Sequence, residues 1–569
     1  MKRIKRKKQE GAALLVVLLV VMAITILSLG FLARSDVELA CGANMVLRTQ
    51  MDYLAESGLE HAKGLILSPQ DVSSEYWTGG VRQQLVAGSA DYYDVVVVRD
   101  DPNLCNYFIT CDAYRERNGE EIGRSGLKAE VRLDPSIAFW AGKGTTVWQR
   151  ITINGDVYCN GTLTNEGVIN GDVFVGVLNG SIAGQQKAVG DLSLEWPEVT
   201  VGDFTSRYSV QPIGSSLSGV TFGPYNPVRV CYNGAGDVEL NGNVQIDGML
   251  VVEGDLIIGG AGNVITAAKN LPALLTTGDL IIESGGRLSI DGLAIVEGKV
   301  RVSGGAGDIS IVGGLFSGDG IAETATDSSP NNNVGVLYNG PTWRPSGGQI
   351  NGALEFDGVN DYVQTSDDSD KLQLTGDYTL AVSVKAGVTE KNWAGILSKC
   401  NPGGSINHWT LQFDNVSPKK LIMHHPIGSW DTGIRLGDVA GAWHHIRIVR
   451  SGDWMTSYLD GTEKHSNTWS ENPGSGEGHL NIGTDRTASS GYVYKGQIDD
   501  IRIYDRAPDA NEIYPTSGLL GHWKLDEQGG GNISITASPS KAAIVVWPTG
   551  VAEKWGQAGG AFYRSIERK

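Results

Sequence analysis

Eight of the nine histidines lie after residue 400, and His424-His425 and His444-His445 are neighbouring pairs. Imidazoles gathered this way invite a metal centre or a general base. Their setting argues against both. Each pair stands in a strand-like segment, where successive side chains point to opposite faces, so neither pair can close on one ion. Glycan hydrolysis would need two carboxylates at a set separation. The nearest run is Glu355-Phe-Asp-Gly-Val-Asn360, with asparagine where a Glu-x-Asp-x-x-Glu strand has its second glutamate. There is no nucleotide loop or nucleophile elbow, and no catalytic residue is assigned. Trp409, Trp430, Trp454 and Trp469 could stack on sugar rings or equally fill a core. Asp499 and Asp500 would need a bulge to face one ion together. The six cysteines contain no CxxC pair; Cys105 and Cys111 flank a short segment and could bridge in an oxidising compartment.

These residues need elements to hold them. A chain of 569 residues exceeds one ordinary core, and 77 glycines with only 19 prolines suit many short strands joined by tight turns. Charge is unevenly spread. Lys2, Arg3, Lys5, Arg6, Lys7 and Lys8 precede residues 11–33, a run with no charge at all. At about 1.5 Å per residue that run spans a hydrocarbon core of about 30 Å. The basic cluster would hold the N-terminus in the cytoplasm, leaving the bulk in the periplasm or at the cell surface. A cleaved secretory signal would have a shorter apolar core, about 7–15 residues. With the six leading cations set aside, 40 Lys+Arg face 64 Asp+Glu, a body too acidic to draw nucleic acid.

Residues 71–140 read as a small α/β region in which 91–99 and 128–133 have strand composition. From 150 to 318 the chain repeats itself. Asn154-Gly-Asp-Val recurs as Asn170-Gly-Asp-Val, and Gly-Asp steps at 236, 254, 278 and 307 each lead into a short apolar strand. Short strands with Gly or Asn at the corners predict a β-solenoid-like stack, interrupted over residues 196–227; an ordinary sandwich is the alternative.

Two resemblances refine this outline. Lys7-Lys8-Gln9-Glu10-Gly11 before Ala12-Ala13-Leu14-Leu15 resembles a type IV prepilin leader, and Ala55-Glu-Ser-Gly-Leu-Glu60 resembles a stretch of PilX-type minor pilins and K-type pseudopilins. That likeness covers about residues 1–70. It implies cleavage between Gly11 and Ala12 by a prepilin peptidase and assembly with other pilins or pseudopilins. Leu54, Leu59, Ala62 and Leu65 would form the packed stripe. Major pilins carry glutamate where Val16 stands, which favours a minor or tip role, or an anchored adhesin with no filament partner.

The second resemblance spans about 320–515. Residues 352–363, 441–450, 457–461, 480–483 and 495–504, in this order, resemble the laminin-G-like, concanavalin A-like jelly roll. It implies an antiparallel sandwich that binds glycan or protein. The family's calcium ion would by position fall on Asp499 and Asp526. Residues 518–527 look like the family's first strand, displaced behind the domain. Residues 516–569 are therefore either a truncated second copy or the source of a completing strand. The expected fold is mainly β: a leader (1–11), a transmembrane, pilin-like α-helix (12–70), the α/β region, the solenoid-like middle and the jelly roll. The expected role is recognition at a surface, with a glycan-active enzyme as the more remote alternative.

Overall fold

The computed structural model describes residues 10–67, 77–100, 103–134, 137–191, 196, 199–225, 228–267, 271–365, 372–400, 407–425, 428–470, 478–486, 490–508, 512, 515–527, 529–537 and 560–568. The chain divides into two units, 1–134 with 561–569, and 135–560.

The first unit is one helix and an antiparallel sheet. Helix α1 (Glu10–Leu67) is exposed along the apolar run of its N-terminal half. It is a helix long and apolar enough to cross a membrane by length and composition. Its other half packs on a five-stranded sheet, β1 (Gly79–Gln83), β2 (Asp91–Asp100), β3 (Asn103–Arg117) and β4 (Glu120–Asp134) in chain order, with Gly560–Arg568 beside β4. Met51, Leu54, Ala55, Leu59, Ala62 and Ile66 meet Tyr93, Val95, Val97, Ile109, Leu127 and Val131 in the core. Each of the larger side chains contributes about 1.5–3 kcal/mol by leaving water. Ile66 takes the place expected of Leu65, which stays half-buried, because successive steps of four, three and four carry the stripe to 66. Gly58 lets the helix come close: a Cβ there would stand 2.4 Å from Cys111 Sγ. Cys105 and Cys111 lie six residues apart along the unbroken β3. That is about 20 Å of strand, far beyond the reach of a disulfide between them. The side chain of Cys105 lies outside the described residues.

In the second unit, three parallel ladders run through residues 137–325. One contains the strands Arg229–Tyr232, Met249–Val252, Leu274–Thr276 and the second half of Leu288–Val296. A second contains Gln245–Asp247, Asn263–Thr266 and the first half of Leu288–Val296. The third contains Val238–Leu240, Leu256–Ile258, Leu280–Ile282, Val300–Ser303 and Ile321–Ala325. The Gly-Asp steps explain the repeat. Asp237 Oδ1 accepts the backbone N–H of Asp255 at 2.8 Å, Asp255 that of Asp279 at 2.7 Å, and Asp279 that of Lys299 at 2.8 Å. Asp156 does the same for Asp172 at 2.9 Å, beside an Asn170-to-Asn154 side-chain bond of 2.9 Å. Each aspartate thus satisfies a corner donor of the next coil.

Spatial order departs from chain order. Ile137–Ala141 and its neighbours do not begin the stack; they pair with the last coil, Phe139↔Leu315 and Trp140↔Phe316. In-register pairing then gives an aromatic file, Phe316, Trp140, Tyr158 and Phe174. The interrupting stretch covers that outer face: Trp196 lies 5.8 Å from Trp140, and Phe204, on the helix Val201–Thr205, joins the same core. Both faces of this ladder are therefore buried, which is why Met249–Val252 is apolar at every position.

Residues 335–523 form an antiparallel sandwich. One sheet continues from the third ladder through Gly335–Tyr338, Tyr362–Thr365, His479–Ile482, Gly395–Cys400, Asn407–Phe413, Lys420–His425 and Gly428–Arg435. The other contains Thr342–Arg344, Ala353–Asp357, Lys495–Tyr504, Tyr378–Ala386, His444–Ser451, Trp454–Leu459 and Thr462–Thr468. Leu519–Trp523 pairs antiparallel with Lys495–Tyr504 inside this sheet, the completing-strand arrangement. Ile533–Ala537 then returns to the coils, parallel between Ile309–Ser317 and Ile151–Asn154. The remainder of the suspected second copy, 538–559, lies outside the described residues.

Candidate functional site

The strand Lys495–Tyr504 carries Asp499 and Asp500, and the bulge they require is present. The register against Tyr378–Ala386 shifts between Ala381 and Ser383, and Asp500 has φ +45°. The two carboxylates still part company. Asp500 Oδ1 accepts from His522 Nε2 at 2.9 Å and Arg502 Nε at 3.0 Å. Burial would raise its pKa, but the bonds from His522 and Arg502 outweigh that and hold it below its ordinary value.

Asp499 turns to the loop 346–352, where its Oδ2 accepts the Ile350 N–H at 2.8 Å. Its Oδ1 is buried and has no hydrogen-bond partner among the described residues. Burial pushes this carboxyl up to about 7, and the charges of Asp500 and Asp526 add to the effect. Asp526 holds the same loop from the other side. Its Oδ1 accepts from Gly352 N at 3.0 Å and its Oδ2 from Asn351 Nδ2 at 3.3 Å. The two acids chosen from the sequence, 27 residues apart, thus clamp one seven-residue loop.

The backbone closes on itself at that loop: a Cβ on Gly348 would meet the Gly352 carbonyl oxygen at 1.7 Å and Asp499 Oδ2 at 2.9 Å, so only glycine fits there. Carboxylate and carbonyl oxygens are the donors Ca²⁺ takes, in sets of six to eight. Among the described residues no three His, Cys, Asp or Glu side chains gather with metal spacing. Main-chain oxygens would therefore have to complete the shell around Asp499.

The histidines divide as opposite faces of a strand require. His424 Nδ1 meets Ser429 Oγ at 2.8 Å, whereas His425 is buried and stacks on Trp469 with ring centroids 4.3 Å apart. His444 Nδ1 meets Asp460 Oδ2 at 2.7 Å, and His445 Nδ1 meets Ser383 Oγ at 3.2 Å. All four have structural partners. Of the four tryptophans, Trp409 and Trp430 fill the core, Trp469 is half-buried against it, and Trp454 is 55% exposed.

One feature escaped the sequence. The outer side of the first sheet carries a buried polar network: Gln364 Nε2 donates to Asn481 Oδ1 at 3.0 Å, and Asn481 Nδ2 to Ser398 Oγ at 3.3 Å. Thr410 Oγ1 donates to Asp485 Oδ1 at 3.0 Å. The alternation Leu480-Asn481-Ile482 is its only trace in one strand, and the bonded partners lie 75 to 117 residues apart. Gly11 and Ala12, the expected cleavage pair, lie in the first turn of α1; their side chains are outside the described residues.

Residues 357–514 match the family model of the concanavalin A-like lectin/glucanases superfamily. No curated protein matches the chain. Among solved structures, the binding domain of Paraclostridial mosquitocidal protein 1 is 16% identical, with 32% of this chain and 47% of that one covered and a TM-score of 0.26. This chain thus spans about half the length of that relative. Domain 4 of the extracellular arabinanase AbnA from Geobacillus stearothermophilus, in complex with arabinotriose, is 13% identical, covering 37% of this chain and 97% of that one, TM-score 0.25. A putative carbohydrate-binding protein from Bacteroides ovatus is 15% identical, covering 37% and 57%, TM-score 0.24.

Proposed function

We propose that this chain is a membrane-anchored surface protein that presents its jelly roll for glycan or protein recognition. The observation that carries the reading is a lectin-superfamily match over 357–514 on the same chain as α1, whose apolar run is exposed and uncharged. In this reading the N-terminus is cytoplasmic, one pass crosses the membrane, and the parallel coils act as a solenoid spacer. A prepilin peptidase cuts between Gly11 and Ala12, and the helix then joins other pilins or pseudopilins as a minor subunit. The helix-on-sheet packing of the first unit supports this, with Gly58 of the Glu-Ser-Gly stretch held tightly against Cys111 and Tyr93. Ca²⁺ is the proposed cofactor, held by Asp499 and the loop that Asp526 fixes. It would supply positive charge to that loop; Asp499 contributes the ligating oxygen and Asp526 the loop's position.

Mass spectrometry of the mature N-terminus, after co-expression with a prepilin peptidase, tests the filament assignment. A chain that begins at Ala12 supports it; an intact leader overturns it. Val16 favours the second reading, an anchored adhesin without a filament, which the intact leader would leave standing.

A further inference from the structure

Where the coils meet the sandwich lies a cavity of about 400 Å³, lined by coil residues on one side and by residues 336–343 on the other. Its size falls within the range of small-molecule sites, about 300–1,000 Å³. We propose that this cavity binds a short neutral oligosaccharide, at a site apart from both sheet faces of the sandwich.

Three observations point to that chemistry. The first is aromatic surface: Trp148, Trp343 and Tyr338 line the cavity. Sugar rings present apolar C–H faces that pack on such rings, while their hydroxyls need polar groups at the rim. Tyr338 is held by stacking on Tyr362, with centroids 4.8 Å apart, and the Trp343 indole lies against Gly304. The platforms are therefore fixed before a ligand arrives.

The second is unused polar capacity. Trp148 is 6% exposed, and its Nε1 is buried without a hydrogen-bond partner among the described residues. Beside it Arg150 Nη2 meets Glu323 Oε1 at 2.5 Å, with side chains only 16% and 9% exposed. Arg150 Nη1 also donates to Gly531 O at 2.6 Å, which fixes the guanidinium. Desolvating such a pair costs more than its attraction returns unless further hydrogen bonds complete it. Hydroxyl groups of a bound sugar complete it from the cavity side.

The third is charge balance. Arg150 and Lys299 line the cavity with Glu166, Asp319 and Glu323, and Lys143 at its edge pairs with Asp319 at 2.7 Å. Three cations against three carboxylates leave no net charge to draw a phosphate or a carboxylate ligand. An acyl chain fits no better, because these charges would lose water to methylene groups. A neutral polyol satisfies both signs.

The test is calorimetric titration of the full-length protein in a sugar-free detergent with cellotriose, maltotriose and tri-N-acetylchitotriose. At least one should bind. Thr162→Trp places an indole at the exposed cavity mouth without removing core packing, and should weaken binding about tenfold or more. Trp343→Phe, which keeps a ring, should weaken it less than Thr162→Trp does. Trp454→Ala, on the exposed sandwich surface, should leave binding unchanged. Failure of all three sugars to bind at about 10 mM overturns the proposal. So does binding that survives Thr162→Trp; if Trp454→Ala then abolishes it, the sugar site is on the sandwich and the recognition reading stands alone.

Discussion

His425 and Asp499 are buried ionisable groups with opposite demands on pH. Burial pushes His425 down to about 3, with Arg450 and His424 adding to the effect, and neither ring nitrogen has a partner among the described residues. The fold therefore accepts only the neutral imidazole. Its contribution is complete above the ordinary value of about 6.5 and is lost as pH falls from there through about 3, about 5 kcal/mol across that window. His425→Phe keeps the stack on Trp469, so chemical denaturation from pH 7 to pH 4 should fall less steeply in the variant; equal slopes would exclude His425 as the cause. Asp499 runs the other way. With its carboxyl raised to about 7, the protonated form is favoured in the fold, and stability is lost as pH rises from about 3.8 through about 7. A bound Ca²⁺ needs the ionised form and reverses that loss. Thermal melting at pH 8 should rise by a few degrees in excess CaCl₂, about 2.7 kcal/mol at a hundredfold excess over Kd. The response should shrink at pH 5 and vanish in Asp499→Asn. An unchanged melting temperature in the wild type at pH 8 would remove Ca²⁺ from this loop. Sequence could separate the histidine pairs because alternation is local. It could not supply Ile350, 149 residues from Asp499, nor distinguish Trp409 from Trp454, since both stand in strands of similar composition.

At the scale of elements, Ile533–Ala537 is the least expected strand. Residues 516–569 offered two readings, a truncated copy or a completing strand, and the segment is instead divided among three sheets, with Gly560–Arg568 beside β4. Leu519–Trp523 joins the sandwich, while Ile533–Ala537 fills a gap in the coils between strands 309–317 and 151–154. Periodicity could not place it there, because five residues alternating Ile and Ser/Thr fit any half-buried strand. Ile535 is fully buried, and its partners Ile311 and Ile153 come from coils that would otherwise present open edges. Ile535→Ala should cost about 2–5 kcal/mol. Limited proteolysis should then cut first near residues 529–532, where the returning segment enters the stack; an unaltered digestion pattern would mean the strand is dispensable. The Gly-Asp corners were visible beforehand as a motif. What the motif does was not, since the donor to each aspartate is a backbone N–H one coil away, 16 to 24 residues along the chain.

Across the whole molecule, coils and sandwich are joined by more than a linker. Ile321–Ala325 belongs to the third ladder, yet it pairs with Gly335–Tyr338, which pairs with Tyr362–Thr365 of the sandwich. The connection is doubled where the chain returns. His522 N donates to Asp327 Oδ1 at 2.7 Å, and Trp523 Nε1 donates to Asn333 O at 3.0 Å, before Ile533–Ala537 re-enters the coils. Continuous hydrogen bonding and a shared strand make separate unfolding expensive, since either half would leave an open sheet edge on the other. A defect deep in the coils should therefore be felt in the sandwich. Gly278→Ala supplies one: its Cβ would stand 2.2 Å from Asp255 Oδ1 and 2.6 Å from Gly254 O, in a stack with no slack along its axis. The cost should be about 1–3 kcal/mol. Hydrogen exchange then reads the coupling. The slowest amides of Leu280–Ile282 and of Tyr378–Ala386, at the centre of the sandwich, should accelerate by the same factor, about tenfold for each 1.4 kcal/mol. Acceleration confined to the coils would mean that the two halves open independently, and that the ladder crossing from residue 325 to 335 carries no cooperativity.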